Sequence, residues 1–132
     1  MSRSHQTTVV RLAEHPVVLD ILAYRCFPAY SSLVLDLRSD RSQVVDLGFP
    51  PGPFSGYLGD STAGEVTITV ELGGRDITNL IKVRFAVASD GSQYLGLEWP
   101  SSEPAAIRFA MRLGQTNDPQ VVVIQPSTIE EE

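Results

Sequence analysis

The chain has little of what redox and metal chemistry require: one cysteine and two histidines in 132 residues. Cys26 alone can neither close an intrachain disulfide nor build a thiolate metal cage, and it reads as a buried, inert thiol. His5 and His15 both lie near the N-terminus, outside any nucleophile-elbow pattern, so no set of nucleophile, base and orienting group can be assembled. No H-x-x-x-H, C-x-x-C or acidic calcium-loop spacing occurs, and residues 59–64, GDSTAG, lack the lysine of a phosphate loop. No enzymatic activity, metal or cofactor is expected. Basic residues are also short, ten against sixteen acidic, for a formal net charge of −6. Such a field repels nucleic acid and anionic membranes, and the densest basic cluster is Arg38 and Arg41, interrupted by Asp40. No apolar run approaches the ~20 residues of a membrane-spanning helix, and the N-terminus has no apolar signal core. Neither nucleic-acid binding nor membrane insertion is expected, and the expected compartment is the cytoplasm.

What is present is alternation. In residues 65–72, EVTITVEL, Val66, Ile68, Val70 and Leu72 alternate with polar residues, the period of a half-buried strand. Gly73 and Gly74 then signal a turn. Ile81, Val83, Phe85 and Val87 alternate in the next run, and after Asp90-Gly91 the run QYLGLEW puts Leu95, Leu97 and Trp99 on one face. These three runs predict an antiparallel meander with Trp99 in the core. Residues 32–37 and 43–47 read as two earlier strands and residues 121–124 as a late one. In residues 49–64, between Leu47 and Glu65, three prolines and four glycines predict a long loop or an irregular edge. Phe54 and Tyr57 lie in this stretch, and if exposed they are a binding feature of the kind loops carry.

Two helices are expected. Ser102 suits an N-cap, Pro104 the first turn and Gly114 a C-cap, with Ala106, Ile107, Ala110 and Met111 on one face. Residues 16–26 suit a helix between His15 and Pro28, although Leu19, Ile21 and Ala23 also alternate, which leaves a strand open. The length suits one domain, residues 1–125, and residues 126–132 read as a polar, acidic, flexible tail.

From Gly64 onward the chain resembles the second half of a PilZ domain, the bacterial cyclic di-GMP receptor module. The resemblance runs through Glu65-Val66-Thr67-Ile68-Thr69-Val70, Ile81-Lys82-Val83-Arg84-Phe85 and Tyr94-Leu95-Gly96-Leu97-Glu98-Trp99, then the helix from Glu103. It covers about 55 residues, with Leu95-Gly96-Leu97-Glu98 its most specific part. It implies a mainly β fold: a small antiparallel β-barrel of about six strands with one or two helices, one of them C-terminal. The family's ligand motifs differ here. Its R-x-x-x-R pair finds Arg3 followed by Thr7, with Arg11 out of phase. Its D/N-x-S-x-x-G motif maps to Asp46-Leu47-Gly48, with glycine in place of the serine; the alternative, Asp60 to Gly64, is one residue short.

The function expected is that of a non-catalytic PilZ-like regulatory or interaction module. It acts through a protein partner, or as a homo-oligomer, and its cyclic di-GMP binding is weak or lost. If the nucleotide is bound, Arg38, Arg41, Asp46 and Gly48 are the candidate ligand-binding residues. A genuine cyclic di-GMP receptor and a structural or assembly subunit with an unrelated small barrel are the alternatives.

Overall fold

Period-two burial runs through nearly every element of the computed structural model, which describes residues 6–12, 15–39, 53–60, 66–89, 91–101, 105–114, 118–126 and 128–129. Among the described residues eleven strands follow in chain order: β1 (Gln6–Leu12), β2 (His15–Cys26), β3 (Ser31–Ser39), β4 (Phe54–Tyr57), β5 (Val66–Leu72), β6 (Arg75–Asp76), β7 (Lys82–Val87), β8 (Gln93–Trp99), β9 (Ile107–Leu113), β10 (Gln120–Ile124) and β11 (Thr128–Ile129). The first sheet has the order β1-β2-β3-β8-β7-β4, with β11 added in parallel beside β2; the second has the order β10-β9-β5-β6. All other pairings are antiparallel.

The core lies between the two sheets. Leu19, Leu33, Leu35, Leu37, Leu95 and Leu97 enter it from the first sheet, and Val70, Leu72, Ile107, Phe109 and Met111 from the second. Trp99 is 2% exposed, as its phase with Leu95 and Leu97 predicts. Its ring lies 5.7 Å from that of Tyr24, tilted by 55°. The Tyr24 hydroxyl donates to the Ala105 carbonyl (2.6 Å) and the Ser31 hydroxyl to that of Ser101. The chain leaving Trp99 is thereby fastened to β2 and to β3.

The mainly β class holds, but four expectations need correction. First, neither sheet closes into a barrel. No ladder among the described residues joins one sheet to the other, because β5 pairs with β6 and β9 while β7 pairs with β8 and β4.

Second, the same pairing replaces the expected meander. Gly73 (φ 58°) and Gly74 (φ 83°) do turn the chain, but the returning strand β6 has only two residues. A 3-10 turn over Thr78–Leu80 then carries the chain across to the first sheet.

Third, residues 107–113 of the expected C-terminal helix are strand β9, paired on both sides. Residues four apart share a face in a helix and in a strand alike, so Ile107 and Met111 fit both. Phe109, wholly buried between them, fits only the strand.

Fourth, residues 16–26 lie in the strand β2, which had remained open. A bulge between Ile21 and Ala23 shifts the inward set from Leu19 and Ile21 to Tyr24 and Cys26. That three-residue step imitates a helical spacing. The stretch expected as a long loop or an irregular edge contains β4, an edge strand of the first sheet, and β11 places two residues of strand in the expected flexible tail. Residues 43–47, expected as a strand, lie outside the described residues.

Candidate functional site

Tyr57 ends β4, opposite Lys82 at the start of β7, which is opposite Glu98 near the end of β8. One row of outward-facing side chains therefore crosses three strands. Beside it stand Tyr30 from the β2–β3 turn, Asn79 and Leu80 from the 3-10 turn, and Pro100, which follows Trp99. Together these eight residues line an open pocket of about 360 Å³. Leu80 (55% exposed) and Tyr57 (47%) are among the most exposed large apolar residues described. Tyr30 is held from behind by Phe27, with the rings stacked 4.7 Å apart and 24° from parallel.

The turn that presents Asn79 and Leu80 is built by Thr78. Its buried hydroxyl accepts from the Val70 N–H (2.9 Å) and donates to Asp76 Oδ1 (2.6 Å), which also accepts from the Thr78 N–H (2.9 Å). The hydroxyl bond first, and the N–H bond second, hold the Asp76 carboxyl below the usual carboxylate range, since both favour the charged form.

The polar groups of the pocket have no such internal partners. Lys82 and Glu98 oppose each other without pairing among the described residues, unlike Arg38 and Asp20 (2.7 Å) or Arg108 and Glu71 (3.8 Å). The side-chain polar groups of Tyr57 and Asn79 are likewise without a hydrogen bond among the described residues. The indole N–H of Trp99 is buried and lacks an acceptor there. The side chain of Trp99 belongs to the core beside Tyr24, on the opposite face of β8 from Glu98, so this donor is a feature of the interior behind the pocket.

Of the residues named from sequence, Arg38 lies on the outer face of β3 and is bound to Asp20, which also accepts from the Thr7 hydroxyl (2.7 Å). Arg41, Asp46 and Gly48 lie outside the described residues. The pocket residues were missed, apart from Tyr57, which had been flagged in its proline-glycine stretch. Lys82 and Glu98 read as the wet side of two strands, and only the β7–β8 register places them together. Gly96, in the most specific part of the family resemblance, has a packing role: a Cβ there would stand 2.9 Å from the Tyr94 hydroxyl.

No group of three metal-ligating side chains occurs among the described residues, nor does a helix long and apolar enough to cross a membrane. No family model, curated protein or solved structure matches the chain.

Proposed function

We propose that this chain is a non-catalytic regulatory or interaction module whose binding site is the pocket between Tyr30, Tyr57 and Leu80. The observation that supports it is the contrast in bonding. Thr78, Tyr24, Ser31 and Arg38 bond their polar groups within the protein, whereas Tyr57, Asn79, Lys82 and Glu98 line the pocket with no side-chain hydrogen bond or ion pair among the described residues. An apolar pocket with a few convergent polar groups is the common form of a ligand site.

The test is a screen of small apolar and peptide probes against the ¹⁵N-labelled chain. Shifts clustered on Tyr57, Leu80, Lys82 and the Trp99 indole, and lost in Tyr57→Ala and Leu80→Ser, support the proposal. Both side chains are exposed, so these variants should keep the fold. Hits scattered over the surface, or equally strong in the variants, would sink it.

On the PilZ-like side of this reading, cyclic di-GMP binds weakly or not at all. Arg38 is already committed to Asp20, and a net charge of −6 opposes an anionic ligand. Calorimetry at moderate salt tests this: a dissociation constant near or below about 1 µM, abolished by Arg38→Ala or Arg41→Ala, would make the chain a cyclic di-GMP receptor instead.

A further inference from the structure

Lys82 and Glu98 are the only ionised groups among the residues that line the pocket. Directly opposed residues of antiparallel strands hold their Cβ atoms about 4.5–5.5 Å apart, so a cation and an anion stand side by side on one wall. They form no ion pair with each other among the described residues. An exposed pair contributes little even when it forms, so a ligand entering between them displaces almost nothing. Apart from Asn79, the rest of the wall is apolar and aromatic, and Tyr30 is already set in place by Phe27.

Resting on the pocket as the binding site, we infer that its ligand is zwitterionic: a free α-amino acid with a large apolar side chain. Lys82 takes the carboxylate, Glu98 takes the ammonium, and the side chain lies among Tyr30, Tyr57, Leu80 and Pro100. Asn79 and Tyr57 line the same pocket and add hydrogen-bonding groups to it. The charge pattern discriminates among ligand classes. A phosphate or nucleotide gains Lys82 but is repelled by Glu98, and an amine without a carboxylate meets the reverse. A neutral sugar leaves both charges unanswered against an apolar wall, and an internal peptide segment carries no ionised headgroup. Opposite charges separated by one carbon match opposite charges on neighbouring strands.

The chain has one tryptophan, and Trp99 is among the residues that line the pocket, so its indole N–H gives a single resonance to follow. L-phenylalanine and L-leucine titrated into the ¹⁵N-labelled protein should shift it together with Tyr57 and Leu80. N-acetyl-phenylalanine, which lacks the ammonium, and phenylalaninamide, which lacks the carboxylate, should each bind about tenfold more weakly, the loss of one charge-assisted bond. Glu98→Gln should remove the penalty for acetylation and leave that for amidation, and Lys82→Met should do the opposite. Both residues are exposed, and a melting temperature unchanged in each variant certifies the comparison. Blocked analogues that bind as tightly as the free amino acid overturn the zwitterion while leaving the binding site standing. So does a terminally blocked peptide that binds more tightly than any amino acid, which makes the occupant a protein segment. If no probe of any charge shifts the pocket resonances, this inference and the binding-module reading fall together.

Discussion

At the scale of single residues, Thr78 and two glycines show how different side-chain demands are met. Thr78→Val keeps the shape but leaves the buried Val70 N–H without its acceptor, which costs about 1–3 kcal/mol. Urea denaturation should show the midpoint falling with an unchanged slope. Asp76 adds a dependence on pH. Its carboxyl titrates lower folded than unfolded, so its contribution is complete above the unfolded value and is lost as pH falls through the folded one. The carboxylate is largely solvated, which makes the effect small. Melting temperatures of the wild type and Asp76→Asn should therefore differ near neutrality and converge at the acid end of the curve; a constant gap would show that the Thr78 bonds do not depend on the charge. The glycines separate backbone demand from space. Gly74 has φ 83° with nothing within 4 Å of a Cβ, so Gly74→Ala costs about 1–2 kcal/mol through the backbone alone. Gly96 sits in a strand under the movable end of Tyr94, so Gly96→Ala should stay within about 1 kcal/mol of the wild type. Equal losses in the two variants, measured by thermal melting, would refute that distinction.

At the scale of elements, β2 carries the sharpest test. Its bulge leaves Leu22 outside, 40% exposed, while Ile21 and Tyr24 on either side point inward. Leu22→Ser should change stability by no more than about 0.5 kcal/mol, as an exposed substitution does. Deleting Leu22 removes the extra residue and places Tyr24 two positions after Ile21, so Tyr24 and Cys26 keep their inward face and their partners Leu33 and Ser31. Circular dichroism and thiol accessibility should report a folded chain with a protected Cys26 for Leu22→Ser and for the deletion alike. A deletion that unfolded, or that exposed the Cys26 thiol, would mean that the sheet needs the bulge itself. β9 makes a related point about competing periods. Alternation carried Ile107, Phe109 and Met111 into the core, and partners on both sides outweighed the helix signals at Ser102, Pro104 and Gly114. Gly114, with φ 69°, serves a turn after the strand instead of a helix cap.

At the scale of the molecule, the two sheets share one apolar interior, and the chain crosses between them several times. The last crossing takes it from β10 to β11, which lies in parallel beside the end of β2. A chain ending at Pro126 loses this short ladder, at most two or so hydrogen bonds at about 1 kcal/mol each. The melting temperature should fall by several degrees and the transition remain cooperative. No change would mean that β11 contributes nothing to stability; collapse of the fold would mean that the last residues hold more than a two-residue ladder. What the sequence determined by itself was the facing of its strands: Val66 to Leu72, Leu33 to Leu37, Val83 and Phe85, and Leu95 to Trp99 all bury the side that alternation assigned them. That information is local, because successive side chains on an extended backbone point to opposite sides whatever lies next to them. Which strands become neighbours is not local. Two apolar faces are equally well buried by many pairings, so the tertiary structure decided that β5 joins β9 and β6 while β7 joins β8 and β4. The pocket belongs to that second kind of information. Tyr30, Tyr57, the Asn79-Leu80-Lys82 segment and the Glu98-Trp99-Pro100 segment are far apart in the chain, and none is distinctive alone. The register of β4, β7 and β8 and the Thr78 turn bring their uncommitted polar groups around one apolar hollow.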